Sequence, residues 1–434
     1  MSLNKAASMA MPDPIRITIP EPGLPAGEYT LTPVVAAPRP YPWPNDAPYS
    51  ILYYDEPLTA IATTKKVVYV GERVANTGAR ASVIYLSAGG GKRGPLGQVR
   101  GLSGTSDKEP LWIVRNPNDG PLTIDATKGP ALVMRDCSDV YFYGFGIHGG
   151  TLNDNVVIED GCSNICFYNI ESDGGINGFT FEQSSGNWIE APYIEGCIIR
   201  NTVRQGIYMN GVRGWGINEV LLYKNGTSSL LDHGLYVSEH CGPGEIIRSY
   251  AIGSALNGFM VRAGGIIENC MTVDCPNGIA FGGVQDDPDN PYKGESPVSG
   301  HIRECAFIRS GAAPWSGVRV NNARGVDISK NVFAYTGQGI VVDGSRELGQ
   351  WPTKEILVSQ NYGIGKFMTA EFDKQVVIEL GAKCAREPFA FVADWPIFFA
   401  AYDELLGKDD PPDTLAKCED AYTATMRAAL GDTQ

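Results

Sequence analysis

The 434-residue sequence has no apolar run of the roughly 18 residues a membrane-spanning helix needs. Its first residues, MSLNKAASMAMPDPIRI, also lack the apolar core of a secretory signal. If the chain begins natively there, it is made in a cytoplasm or exported without a classical signal, and a virion or extracellular site of action is the expectation. A cloned mature domain would look the same. The ten cysteines lack the paired spacing of a secreted disulfide framework, and no CxxC pair has a matching His or Cys pair at zinc spacing. Basic residues are scarce: 35 Lys and Arg stand against 49 Asp and Glu, a formal charge of −14. Such a chain is a poor partner for a phosphate backbone, and an anionic glycan would need a local basic patch. The 52 glycines and 29 prolines follow no G-X-Y period, which excludes collagen and leaves many turns.

What the sequence has is a repeat. A polar residue, then glycine, then apolar-x-apolar occurs as Asn177-GFTF, Gln205-GIYM, His233-GLYV, Asn257-GFMV, Asn277-GIAF, Ser316-GVRV and Gln338-GIVV. The glycines are spaced by 28, 28, 24, 20, 39 and 22 residues, and degenerate copies run at 154–158 and 130–134. Self-similarity at such a period signals a solenoid. A second phrase, as in IIENCMTV at 266–273 or HIRECAFI at 301–308, reads as two short strands meeting at a tight corner. Three strands per repeat and no helix-length segment predict a right-handed, single-stranded parallel β-helix of about ten coils. Aligning the second phrases puts Asn169, Cys197, Asn225, Tyr250, Cys270, Cys305, Asn331 and Asn361 in one corner column. An inward Asn there can bond corner backbone groups, and a Cys can fill the slot as a small buried residue. On this reading Cys197, Cys270 and Cys305 are buried and reduced.

The ends differ from the repeat. Residues 1–48 carry eleven prolines between Pro12 and Pro48 and read as an extended, poorly hydrogen-bonded arm, either a strap or an anchor to a larger assembly such as a virion or homotrimer. Residues 49–128 form an N-terminal cap and first coils, 129–370 the β-helix, and 371–434 a segment of two helices. Asp394-Trp395-Pro396 opens the first helix and Gly407 follows its end; Asp413 caps the second, whose stripe is Leu415, Cys418, Tyr422, Met426 and Ala429. The pair is expected to cap an open β-helix end, where strand edges would lie unpaired.

This layout resembles the pectate-lyase-like β-helix superfamily over roughly residues 82–370, with GLSGTSDKEPLWIVRN at 101–116 and LTID at 122–125 similar to its opening coils. That superfamily holds polysaccharide lyases, epimerases, hydrolases and phage tailspikes. The resemblance implies that the strand after the polar-Gly step lines a polysaccharide groove. Alternation then places Val157, Thr180, Tyr208, Tyr236, Met260, Ala280, Arg319 and Val341 in one outward column. Glu159, Glu182, Asn210, Ser238, Arg262, Gly282, Asn321 and Asp343 form the second.

Candidate substrate contacts are Tyr208, Tyr236, Asn210, Glu159 and Arg319, with tyrosine faces suited to pyranose rings. Candidate catalytic residues are His233, Tyr236, Glu239, His240, Glu182 and Arg262. Paired carboxyls at Glu159 and Glu182 suit a glycoside hydrolase. A histidine or tyrosine base with Arg262 suits a lyase or epimerase. Structural readings stand beside these: His233 occupies the turn position of Asn177, and Glu239 and His240 belong to a loop. Asp286, Asp287 and Asp289, in the longest insertion, could hold Ca²⁺, or simply form an acidic loop. GGGKRG at 89–94 fails as a phosphate loop. No family-specific catalytic motif is intact, so the competing reading is a non-catalytic β-helix of a virion or cell surface, structural or adhesive.

Overall fold

The computed structural model describes residues 91–364 except 105–106, 108–109, 116–119, 185, 229–230, 283–297, 312–313 and 344–352, with short strands on either side and residues 412–430. Each coil gives one strand to each of three parallel sheets, and each strand pairs with its copy one coil away. The sheets hold fifteen, twelve and eleven strands. The eleven-stranded one, from Gly97–Arg100 to Ala370–Phe372, carries the polar-Gly phrase and is called the groove sheet below. The architecture is a parallel β-helix, as the repeat predicts. The coil count differs slightly from the expected ten.

The apolar-x-apolar pairs point inward. Phe179 and Phe181, Ile207 and Met209, Leu235 and Val237, and Phe259 and Val261 are all buried and stack in register from coil to coil. The preceding glycine is there because the coils approach too closely for a side chain. A Cβ on Gly234 would lie 2.6 Å from the carbonyl oxygen of Gly258, and one on Gly206 2.6 Å from that of Gly234.

The corner column is real, with three members reassigned. The register position at the start of the twelve-stranded sheet holds Ile170, Cys197, Val220, Ser249, Cys270, Cys305, Asn331 and Asn361. Asn169 and Tyr250 are off by one, and Asn225 serves the next corner, where it accepts from Thr202 Oγ1 at 3.0 Å. Asn169 instead joins Glu219, Arg248, Asn269, Glu304, Lys330 and Gln360 in the left-handed conformation that turns the chain. Within the true column the cysteine thiols and asparagine amides do the same work. Cys270 and Cys305 donate to the carbonyls of Ile246 and Ile267, and Asn331 and Asn361 to those of Ile302 and Ile328, which are register mates.

None of the nine described cysteines is in a disulfide, and all are buried. Burial pushes the Cys305 thiol up, away from the reactive thiolate. A thiol reagent should therefore leave Cys197, Cys270 and Cys305 unlabelled in native protein and label them in denaturant. Fast native labelling of all three would break this register.

The C-terminal helix, α1 (Leu415–Leu430), does not cap an end. Cys418, Ala421 and Met426 pack on the outer face of the twelve-stranded sheet, against Tyr250, Met271, Ala306 and Val332. The reason lies in that sheet's strands: Met271–Val273, Ala306–Ile308 and Val332–Ala334 are buried at every position, so both faces need cover. Thr414, not Asp413, caps α1 by accepting from the Lys417 amide at 3.3 Å; Asp413 binds the Lys417 ammonium at 2.8 Å. The first expected helix, around Asp394 and Gly407, lies outside the described residues. Of the expected N-terminal arm, Ile15–Ile19 and Gly27–Leu31 form an antiparallel pair, a hydrogen-bonded element that its prolines had hidden. Among the described residues no helix is long and apolar enough to cross a membrane.

Candidate active site on the groove sheet

Four adjacent strands position the candidate residues: β1 (Phe179–Glu182), β2 (Ile207–Asn210), β3 (His233–Val237) and β4 (Asn257–Val261). Inward burial of their apolar pairs forces the intervening residues outward. Thr180, Tyr208, Tyr236 and Met260 fall in one register column, and Glu182 pairs with Asn210 in the next. Ser238 and Arg262 continue that second column, their amides bonding to Met209 and Val237 carbonyls.

The two tyrosines turn a face to each other, and Tyr236 is covered by further neighbours. Tyr208 and Tyr236 stack on each other, centroids 5.6 Å apart and planes at 9°. The Arg262 guanidinium lies 5.4 Å from the Tyr236 centroid, and His233 stacks on the same ring at 5.4 Å. Tyr236 therefore offers a substrate its edge and hydroxyl. Arg262 is held in turn by Glu239 at 3.1 Å, and Glu239 is buried rather than a solvated loop residue. Burial, reinforced by the Glu239 carboxylate against the opposing Arg262 charge, pushes the Tyr236 phenol up to about 12. That is the wrong direction for a base at neutral pH.

His233 belongs to the interior. It sits in a buried polar column with Asn177, Gln205, Asn257, Asn277 and Ser316. Asn257 donates to its Nδ1 at 3.0 Å and accepts from Asn277 at 2.6 Å, so the ring proton sits on Nε2. Burial, with help from Arg262 and Arg204, brings its pKa down to about 3.

His240 is different. Its Nδ1 lies 3.1 Å from Asn210 Oδ1, which also accepts from Ser238 Oγ at 2.7 Å; Ser238 Oγ accepts from the His240 amide at 3.2 Å. With Oδ1 accepting, Nδ1 carries the proton and Nε2 the lone pair. One coil below Asn210 stands Glu182, exposed. Partial burial and the charges of Asp154 and Glu159 push its carboxyl above the usual range. Asn210 thus stands between a raised carboxyl and an oriented imidazole.

The other candidates are engaged elsewhere. Glu159 is bound by Arg135 at 2.5 Å, which takes it out of a two-carboxyl pair with Glu182. Arg319 lies beyond Met260 and Ala280 in the first column and is tied to Asp343 at 2.6 Å. Asp286, Asp287 and Asp289 lie outside the described residues. Among the described residues no three His, Cys, Asp or Glu side chains are grouped as metal ligands.

No protein-family model matches the sequence, and no curated protein does. Solved structures do. A rhamnogalacturonan lyase matches over 77% of this chain and 87% of its own at 13% identity, TM-score 0.48. The pectate lyase Pel9A matches over 81% and 82% at 14% identity, TM-score 0.41. The receptor-binding protein of bacteriophage Det7, a podoviral tailspike in a myovirus, matches over 68% and 73% at 11% identity, TM-score 0.39. The fold is a parallel β-helix. At these identities the likeness concerns fold and not activity.

On this parallel β-helix, sequence alternation alone could place Glu182, Asn210 and Arg262. It could not see Ser238 and Asn210 holding His240, because that contact joins a strand to the loop of the next coil. Nor could it see Asn257 fixing the His233 tautomer, although the shared polar-Gly position was the available signal. His233 carries a pH prediction. Its folded pKa lies below the unfolded 6.5, so the unfolded chain gains the proton first as pH falls. Stability is full above 6.5 and declines toward about 3. In His233→Asn, which copies its neighbours, denaturation midpoints between those limits should fall less steeply than in wild type. Parallel curves would place the titrating group elsewhere.

Proposed function

We propose that the groove sheet binds a segment of polysaccharide across the coils of Glu182, Asn210, Ser238 and Arg262, and hydrolyses it. Glu182 gives its proton to the leaving glycosidic oxygen, while His240 Nε2 takes one from the attacking water. The observation that carries this reading is Asn210, which orients His240 and stands beside the raised Glu182 carboxyl. Elimination fits less well: it needs a free cation to hold the uronate carboxylate, whereas Arg262 is paired with Glu239. The polysaccharide neighbours on the same fold agree with a glycan ligand without fixing it.

The test is digestion of a panel of plant and bacterial surface polysaccharides, followed by reducing ends and by the ultraviolet absorbance of unsaturated sugars. New reducing ends without that absorbance are expected. Absorbance rising with the ends would replace hydrolysis by elimination. Glycan binding with no cleavage would leave the adhesin reading in its place.

A further inference from the structure

The described cations of the groove are all spoken for. Among the described residues, the two outward columns of the groove sheet contain Arg100, Arg135, Arg262 and Arg319. Each is ion-paired: with Asp136 at 2.8 Å, Glu159 at 2.5 Å, Glu239 at 3.1 Å and Asp343 at 2.6 Å. The arginines flanking the site coils follow suit, Arg204 facing Asp232 at 3.9 Å and Arg213 bound to Glu190. Among the described residues, one carboxyl on these columns has no such partner: Glu182, whose charged neighbours are the acids Asp154 and Glu159. The chain as a whole carries −14.

From this pattern, and resting on the glycan-binding reading above, we propose that the ligand of the site coils is an uncharged glycan, not a polyuronate. A polyuronate carries a carboxylate on each sugar. Laid along the groove, it would meet, among the described residues, no cation that is not already neutralised, and would bring its charge toward the acids Asp154 and Glu159 beside Glu182. An uncharged glycan meets no such repulsion. Its hydroxyls find the Tyr208 and Tyr236 edges, Asn210 and the Glu182 carboxyl, all groups that accept or donate a hydrogen bond without a counter-charge. The carboxylates that neutralise the arginines also fix their geometry. Arg262, clamped between Glu239 and the Tyr236 ring, serves as a wall of the groove and not as a salt-bridge donor.

Affinity electrophoresis of the full chain tests this. The gels contain dextran, galactan, mannan or an O-antigen polysaccharide, and polygalacturonate or alginate beside the carboxyl-reduced form of each. Retardation by one or more uncharged glycans, and by no acidic glycan more than by its reduced form, is expected. Stronger retardation by a native polyuronate than by its reduced form overturns the uncharged-ligand inference and leaves the glycan reading standing. No retardation by any glycan overturns both. Asp343→Asn supplies an independent arm, since it releases Arg319 at a half-exposed pair without touching the core. It should strengthen polygalacturonate retardation by about threefold at low salt, an effect lost at high salt. No change on releasing that cation would overturn the argument from pairing.

Discussion

Glu182→Gln and His240→Ala should each lower turnover of a cleaved glycan by about 10²-fold or more. The first removes the proton donor and keeps its shape; the second removes the base that Asn210 and Ser238 orient. Neither should unfold the chain, because Glu182 is exposed and His240 lies half-buried in the turn after its strand. Denaturation midpoints measured alongside initial rates separate the two effects. The pH profile gives a second check. A carboxyl held above its usual range stays protonated to higher pH, so wild-type activity should decline on the alkaline side as Glu182 ionises, and Glu182→Gln should lose that limb. Tyr236→Phe should cost less than either, since its phenol is held protonated beside Glu239. Full activity in both variants would remove the assignment of acid and base.

The second large effect concerns stability. Asn331 is fully buried, donates to the Ile302 carbonyl at 2.9 Å and accepts from the Cys305 amide at 2.9 Å. Asn331→Ala strands both backbone groups in the core at a cost of about 3 kcal/mol. Asn331→Cys should cost about half as much, because the thiols of Cys270 and Cys305 already donate to the equivalent carbonyl. Denaturant midpoints of the three proteins give the ranking. Equal losses for Ala and Cys would show that the slot is filled by volume alone.

These residues also show where sequence reasoning reaches and where it stops. The polar-Gly phrase was legible because it answers a local necessity, a backbone approach that excludes any Cβ. The apolar alternation after it fixed both outward columns of the groove. The corner column slipped at Asn169 and Tyr250, since two neighbouring columns there both take Asn, one for its side-chain bonds and one for its left-handed backbone. Ion pairs such as Glu239–Arg262 were invisible, because they join a loop to a strand of the next coil and leave no fixed spacing. The place of α1 was misjudged for a related reason. Its apolar stripe announced burial but not against what. The signal lay in strands such as Met271–Val273 and Ala306–Ile308, whose unbroken apolar character announced a second covered face.

That covered face has a kinetic side. Coil stacking joins residues a few tens of positions apart, so the solenoid can zip up as the chain grows. The contact of Tyr422 with Asn269 spans 153 positions, and Tyr422 also reaches the Glu304 carbonyl. Such a contact forms only after nearly all the rest, and loop closure makes it slow. Until α1 arrives, Tyr250, Met271, Ala306 and Val332 form a bare strip on an otherwise finished rod, open to the same strip on another nascent chain. The arrival of α1 therefore governs how many molecules reach the native state, apart from how tightly each one then holds together.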